Sequence, residues 1–103
     1  MKDSDKQLIK IPVLTTKEFV LYLEDVNDNT FIHCDIRTKW DKELKHNLGF
    51  SFKILLSLIN RKINALHDTK DKKHKKFLEL FDFNREYSII GNDGKEYDIY
   101  SRR

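Results

Sequence analysis

The stretch that most constrains this chain lies near its C-terminus, where two alternating runs flank Asn92-Asp93-Gly94. Asp-Gly accepts the positive φ angles of a tight turn, so Tyr87–Gly91 and Lys95–Tyr100 are expected to pair as a β-hairpin. With 103 residues the chain can build one core. Residues 8–103 are therefore expected to form a single α+β domain behind a polar tail, residues 1–7.

Upstream, Leu8–Leu14 alternates loosely, and Pro12 places that strand at an edge. Thr15-Thr16-Lys17-Glu18 reads as a capping box, with Leu14 and Phe19 as its hydrophobic staple. It predicts a helix to about Asp25, followed by a turn at Asn27-Asp28-Asn29. Thr30–Ile36 alternates as a strand with Ile32, Cys34 and Ile36 inward. Thr38 and Asp41 signal a second helix start, and Trp40, Leu44 and Leu48 recur at helical spacing until Gly49. Ser51 then caps a longer helix to about His67, whose apolar arc holds Phe52, Leu55, Leu56, Ile59, Ile63 and Leu66. A last helix spans about Asp71–Phe83.

Catalytic constellations are sparse. His33, Cys34 and Asp35 offer a base, a nucleophile and a carboxylate, but neighbours on a strand point to opposite faces. A buried, inert Cys34 is the expectation. His67 and His74 lie seven apart, too far along one helix to share an ion. The three glycines, Gly49, Gly91 and Gly94, make no phosphate-cradling loop. No enzymatic activity, metal or cofactor is expected. One cysteine excludes an internal disulfide, and no apolar run is long enough to span a membrane. The polar start shows no secretory signal, so the expected location is the cytoplasm. Abundant Lys, Ile and Asn beside one Ala and one Pro suggest an AT-rich genome, such as that of a phage or mobile element.

The net charge of +3 is unevenly spread. Residues 61–76 hold seven Lys or Arg and two Asp, which gives +5 and leaves −2 for the rest. A concentrated basic patch attracts polyanions. Beside it, Leu44, Leu48, Gly49, Phe50, Ser51, Leu55, Leu58 and Asn60 fill the slots of a helix-turn-helix, which this segment resembles. In that family a glycine makes the turn and a serine caps the recognition helix. The family's small alanine is Lys45 here. Helix, strand, helix, helix and hairpin is also the order of winged-helix domains.

The resemblance implies a small non-enzymatic regulator that binds nucleic acid, DNA ahead of RNA, with a homodimer possible. Lys53, Ser57, Asn60 and Arg61 would meet the groove, while Lys70, Lys72, Lys73, Lys75 and Lys76 would meet phosphates. The alternative is a phage-type inhibitor or adaptor that binds a host protein through Tyr87, Tyr97 and Tyr100 on the hairpin or through the lysine patch.

Overall fold

A computed structural model describes residues 10–103 and divides the chain into two units, Met1–Lys39 and Trp40–Arg103. The expected tail, residues 1–7, and the first two residues of the expected leading strand lie outside the described residues.

In the first unit, β1 (Ile11–Thr15), β2 (Phe19–Val26) and β3 (Asn29–Ile36) form an antiparallel meander. Pro12 sits on β1, and the register shifts between Pro12 and Leu14. The expected helix after Thr15 is strand β2. Thr16 does use its hydroxyl, but in a turn: Oγ1 accepts from the backbone N–H of Glu18 and of Phe19, at 3.1 and 3.0 Å. That local chemistry is shared by N-caps and by Ser/Thr turns, so the tetrapeptide does not discriminate between them. The run Phe19-Val20-Leu21 is buried at all three positions, which suits a strand buried on both faces. Asn27 and Asp28 carry φ values of 50° and 68° and close the β2–β3 hairpin as a two-residue turn with both angles positive.

The second unit runs α1 (Lys42–Ile59), β4 (Ile63–Asp68), α2 (Lys72–Leu80), β5 (Asn84–Ile90) and β6 (Glu96–Arg102). Here β6 lies between β4 and β5, antiparallel to both. The β5–β6 hairpin turns through Gly91–Lys95, with Gly94 at φ 79°. Asp41 caps α1 by accepting from the Leu44 N–H at 2.8 Å, and Asp71 caps α2 by accepting from the His74 N–H at 3.0 Å. Phe52 of α1 stands edge-on to Phe77, Phe81 and Phe83, which ties both helices into one aromatic core.

The winged-helix expectation is overturned. The described residues hold six strands and two helices. Lys42–Ile59 is continuous through Gly49, which has no positive φ, so there is no turn between two helices. Ser51 lies inside that helix and donates its hydroxyl back to the Asn47 carbonyl at 2.8 Å. The helix ends eight residues before His67, because Asn60 adopts a left-handed conformation at φ 55°. Ile63, Ala65 and His67 then alternate inward on β4.

Candidate functional site

The α1 positions 42, 45, 46, 49 and 53 recur at three- and four-residue spacing and so share one stripe of the helix. Four of them, Lys42, Lys45, His46 and Lys53, are cationic or can become so. This stripe forms one wall of a pocket of about 540 Å³. The opposite wall is the end of α2, with Leu80, Phe81 and Asp82, together with Arg102 near the end of β6. Phe50 is 61% exposed and Leu80 42%, unusual positions for large apolar side chains. Both line this pocket, which therefore carries apolar as well as cationic side chains.

The pocket's far wall is held by backbone chemistry. Arg102 Nη1 donates to the Phe81 carbonyl at 2.8 Å and so satisfies a helix-terminal acceptor with a cation. Asp82 follows at φ 67°. Phe83 N–H returns to the Leu78 carbonyl at 2.9 Å and Asp82 N–H to Glu79 at 3.1 Å, the two bonds of a Schellman ending. Asp82 is the pocket's single carboxylate. Among the described residues, Lys42, Lys45 and Lys53 make no salt bridge. The arrangement therefore suits an anion that also carries an apolar portion.

A second cluster sits where α2 meets β4. The Nδ1 atoms of His67 and His74 are 2.9 Å apart, a hydrogen bond in which one ring donates and the other accepts. His67 is 1% exposed. Its ring stands edge-on to Tyr100, while His74 stacks against Phe77. Burial, and then the neighbouring His67, hold the His74 pKa below its usual value, with Asp71 pulling weakly the other way. The sequence offered no signal for this pair, since their separation was read along one helix. A helix and a strand bring them together. Among the described residues, no three His, Cys, Asp or Glu side chains are grouped to hold a metal ion.

The predicted site residues scatter. Lys53 lines the pocket. Ser57 donates its hydroxyl to the Ile54 carbonyl at 2.8 Å, and Asn60 ends α1. Arg61 lies beyond that end. The Lys70 N–H is held by the Asp68 carboxylate, and Lys72, Lys73, Lys75 and Lys76 stand exposed on α2. The hairpin register pairs Tyr87 with Ile99 and Arg85 with Tyr100, so Tyr87 and Tyr97 share one face and Tyr100 takes the other. Tyr100 is buried, so the three tyrosines form no common surface. In the first unit, burial and then Asp35 push the Cys34 thiol up to about 12, and His33 Nε2 lies 2.8 Å from Glu24 Oε1.

No family model matches the chain, and no curated protein matches it by sequence. Among solved structures it is similar to the ribosomal-protein-S5-alanine acetyltransferase from Vibrio fischeri, with a TM-score of 0.67 at 9% identity. The match covers 82% of this chain and 53% of that one, so this chain spans about half the neighbour's length. At that identity the likeness is one of fold alone. The fold is one an acetyltransferase uses and not that of a helix-turn-helix domain, which corrects the expectation of a helix-turn-helix DNA-binding regulator. Among the described residues no helix is long and apolar enough to cross a membrane.

Proposed function

We propose that this chain is an acyltransferase-type domain that binds a phosphorylated acyl carrier of the coenzyme A class and passes its acetyl group to an amine. The observation that carries the reading is the pocket: cationic and apolar side chains lining one cavity, on a fold shared with an acetyltransferase. The residues present fit such a carrier. Its phosphates need cations free of carboxylate partners, and Lys42, Lys45 and Lys53 supply them beside Arg102. Its organic portion needs apolar contact, which Phe50, Leu80 and Phe81 offer.

When bound, the carrier supplies an activated acyl carbonyl as a thioester. The chain's own part is positional. Lysines are point charges on flexible stems, so Lys45 and Lys53 attract and hold an anion without fixing its orientation. Arg102 is already tied to the Phe81 carbonyl, so its guanidinium is fixed in place before any ligand arrives. The exposed Phe50 and Leu80 side chains offer apolar surface that a ligand would cover.

The test is titration calorimetry of the chain with acetyl-coenzyme A, paired with mass spectrometry of a peptide amine incubated with both. Saturable binding and an acetylated amine are expected. Lys45→Glu together with Lys53→Glu should weaken binding at least tenfold. Wild-type protein that shows no saturable heat at millimolar carrier would overturn the reading.

A further inference from the structure

We propose that His67 and His74 form an acid-sensitive latch that fastens α2 to β4, and that a second proton on the pair loosens the helix. The geometry is the shared Nδ1–Nδ1 contact at 2.9 Å between a buried strand residue and a helix residue. In the neutral pair one ring donates and the other accepts. One added proton still leaves one donor facing one acceptor, so the contact survives. A second proton sets two N–H donors and two positive charges against each other at the same distance. The contact then turns from attractive to repulsive.

Carboxylates around the pair, Asp71 toward His74 and Asp98 toward His67, favour the charged rings, but none stands between the two Nδ1 atoms where the donors would meet. On β4 the next residue is Asp68, whose carboxylate accepts from the Lys70 N–H. On α2, Asp71 is engaged as the N-cap by the His74 N–H. On β6, Asp98 is the register partner of His67, and Tyr100 presents its ring edge. From β5, Ser88 donates to Asp98 at 2.5 Å and Arg85 approaches it at 3.2 Å, so that carboxylate's charge is shared between them and His67. The α1 helix offers Phe52, which carries no charge, to the Phe77 ring that stacks on His74. Burial of His74 opposes a charge on that ring as well.

The same helix carries Leu80 and ends at Phe81 and Asp82, one wall of the cationic pocket. Loosening α2 should therefore weaken carrier binding in acid, a consequence that rests on the acyltransferase reading. The latch itself does not.

The experiment is residue-resolved amide exchange at pH 7.5 and pH 5.0 on the ligand-free chain, expressed as protection factors. Residues 75–81 should lose at least tenfold protection at pH 5.0 while the middle of α1 keeps its own. His74→Gln, which keeps a polar side chain and cannot titrate, should remove that difference. Equal pH dependence in wild type and His74→Gln, or none in wild type, overturns the latch. Should the variant not fold, imidazole nitrogen shifts of the wild type decide: two separated steps support the latch, and a single common step overturns it. Because no ligand enters these readouts, failure of the carrier reading would leave them intact, and failure of the latch would leave carrier binding at neutral pH intact.

Discussion

At Asp82 the chain turns with a φ of 67°, a conformation that L-residues other than Asn and Asp rarely adopt. The neighbouring bonds show why it is held there: the Schellman pair from Phe83 and Asp82 closes α2 and lets Phe83 bury. Glycine adopts the same angle without strain, so Asp82→Gly should stabilise the fold by about 1 kcal/mol, read as a higher urea midpoint at unchanged slope. The change also removes the pocket's carboxylate, so carrier affinity should not fall. Cys34 allows a second check at this scale. With its thiol pushed up to about 12, little thiolate exists at neutral pH. Labelling in native buffer should be roughly 100- to 1,000-fold slower than after unfolding, where an ordinary thiol pKa returns. Native labelling at the unfolded rate would count against the burial. The strand holding Cys34 was readable from the alternation of Ile32, Cys34 and Ile36, although Ile32 alone of the three is buried and Cys34 and Ile36 are half-buried. Asp82 was not, since nothing local distinguishes an aspartate that must turn left-handed from one that merely faces water.

Among the elements, α1 and the second strand explain where sequence reasoning went astray. Gly49 and Ser51 look like a turn and a cap, yet Asp41 caps the helix upstream and Ser51 bonds back along it. Leu44, Leu48 and Phe52 keep one buried stripe through the glycine, so tertiary packing holds the helix together across its weakest residue. A Cβ on Gly49 would meet Phe81 Cε1 at 3.7 Å, an ordinary contact. Gly49→Ala should therefore raise stability by about 0.8–1 kcal/mol through helix propensity alone. A helix-turn-helix glycine would respond with a loss, so a thermal or urea melt of this one variant discriminates between the two structures. The expected helix from Thr15 failed for a different reason. Phe19, Tyr22, Leu23 and Val26 fit a helical wheel, but Phe19, Val20 and Leu21 are buried in succession, as in a strand covered on both sides. A short continuous apolar run does not carry a period, so it reads as helix or strand with equal ease. The C-terminal hairpin and α2 were legible because each carries its own punctuation: Asn92-Asp93-Gly94 for one, Asp71 for the other.

For the molecule as a whole, charge rather than motif points to the candidate site. The lysine-rich segment was visible in the sequence, but none of its lysines lines the pocket, which draws its equally exposed lysines from α1 and Arg102 from β6. Only Lys53 belongs both to the predicted set and to the pocket. Lys42 and Lys45 sit upstream of Gly49, whose turn-like context sets them apart from Lys53, and Arg102 lies 49 residues beyond Lys53. Long-range convergence of that kind leaves no spacing in a sequence. It also makes a sharp test of whether position or net charge matters. Lys45→Glu with Lys53→Glu lowers the formal charge by two per substitution, from +3 to −1. Lys72→Glu with Lys73→Glu makes the identical change on the exposed face of α2. If binding of acetyl-coenzyme A depends on contact in the pocket, the first pair should lose at least tenfold in affinity at physiological salt and the second less than about threefold, since exposed charges beyond a Debye length of about 8 Å are largely screened. Raising the salt should narrow the second difference toward nothing and leave most of the first. Equal losses in the two double variants would mean that the chain attracts the carrier by its overall field, and the pocket would have no special part in holding it.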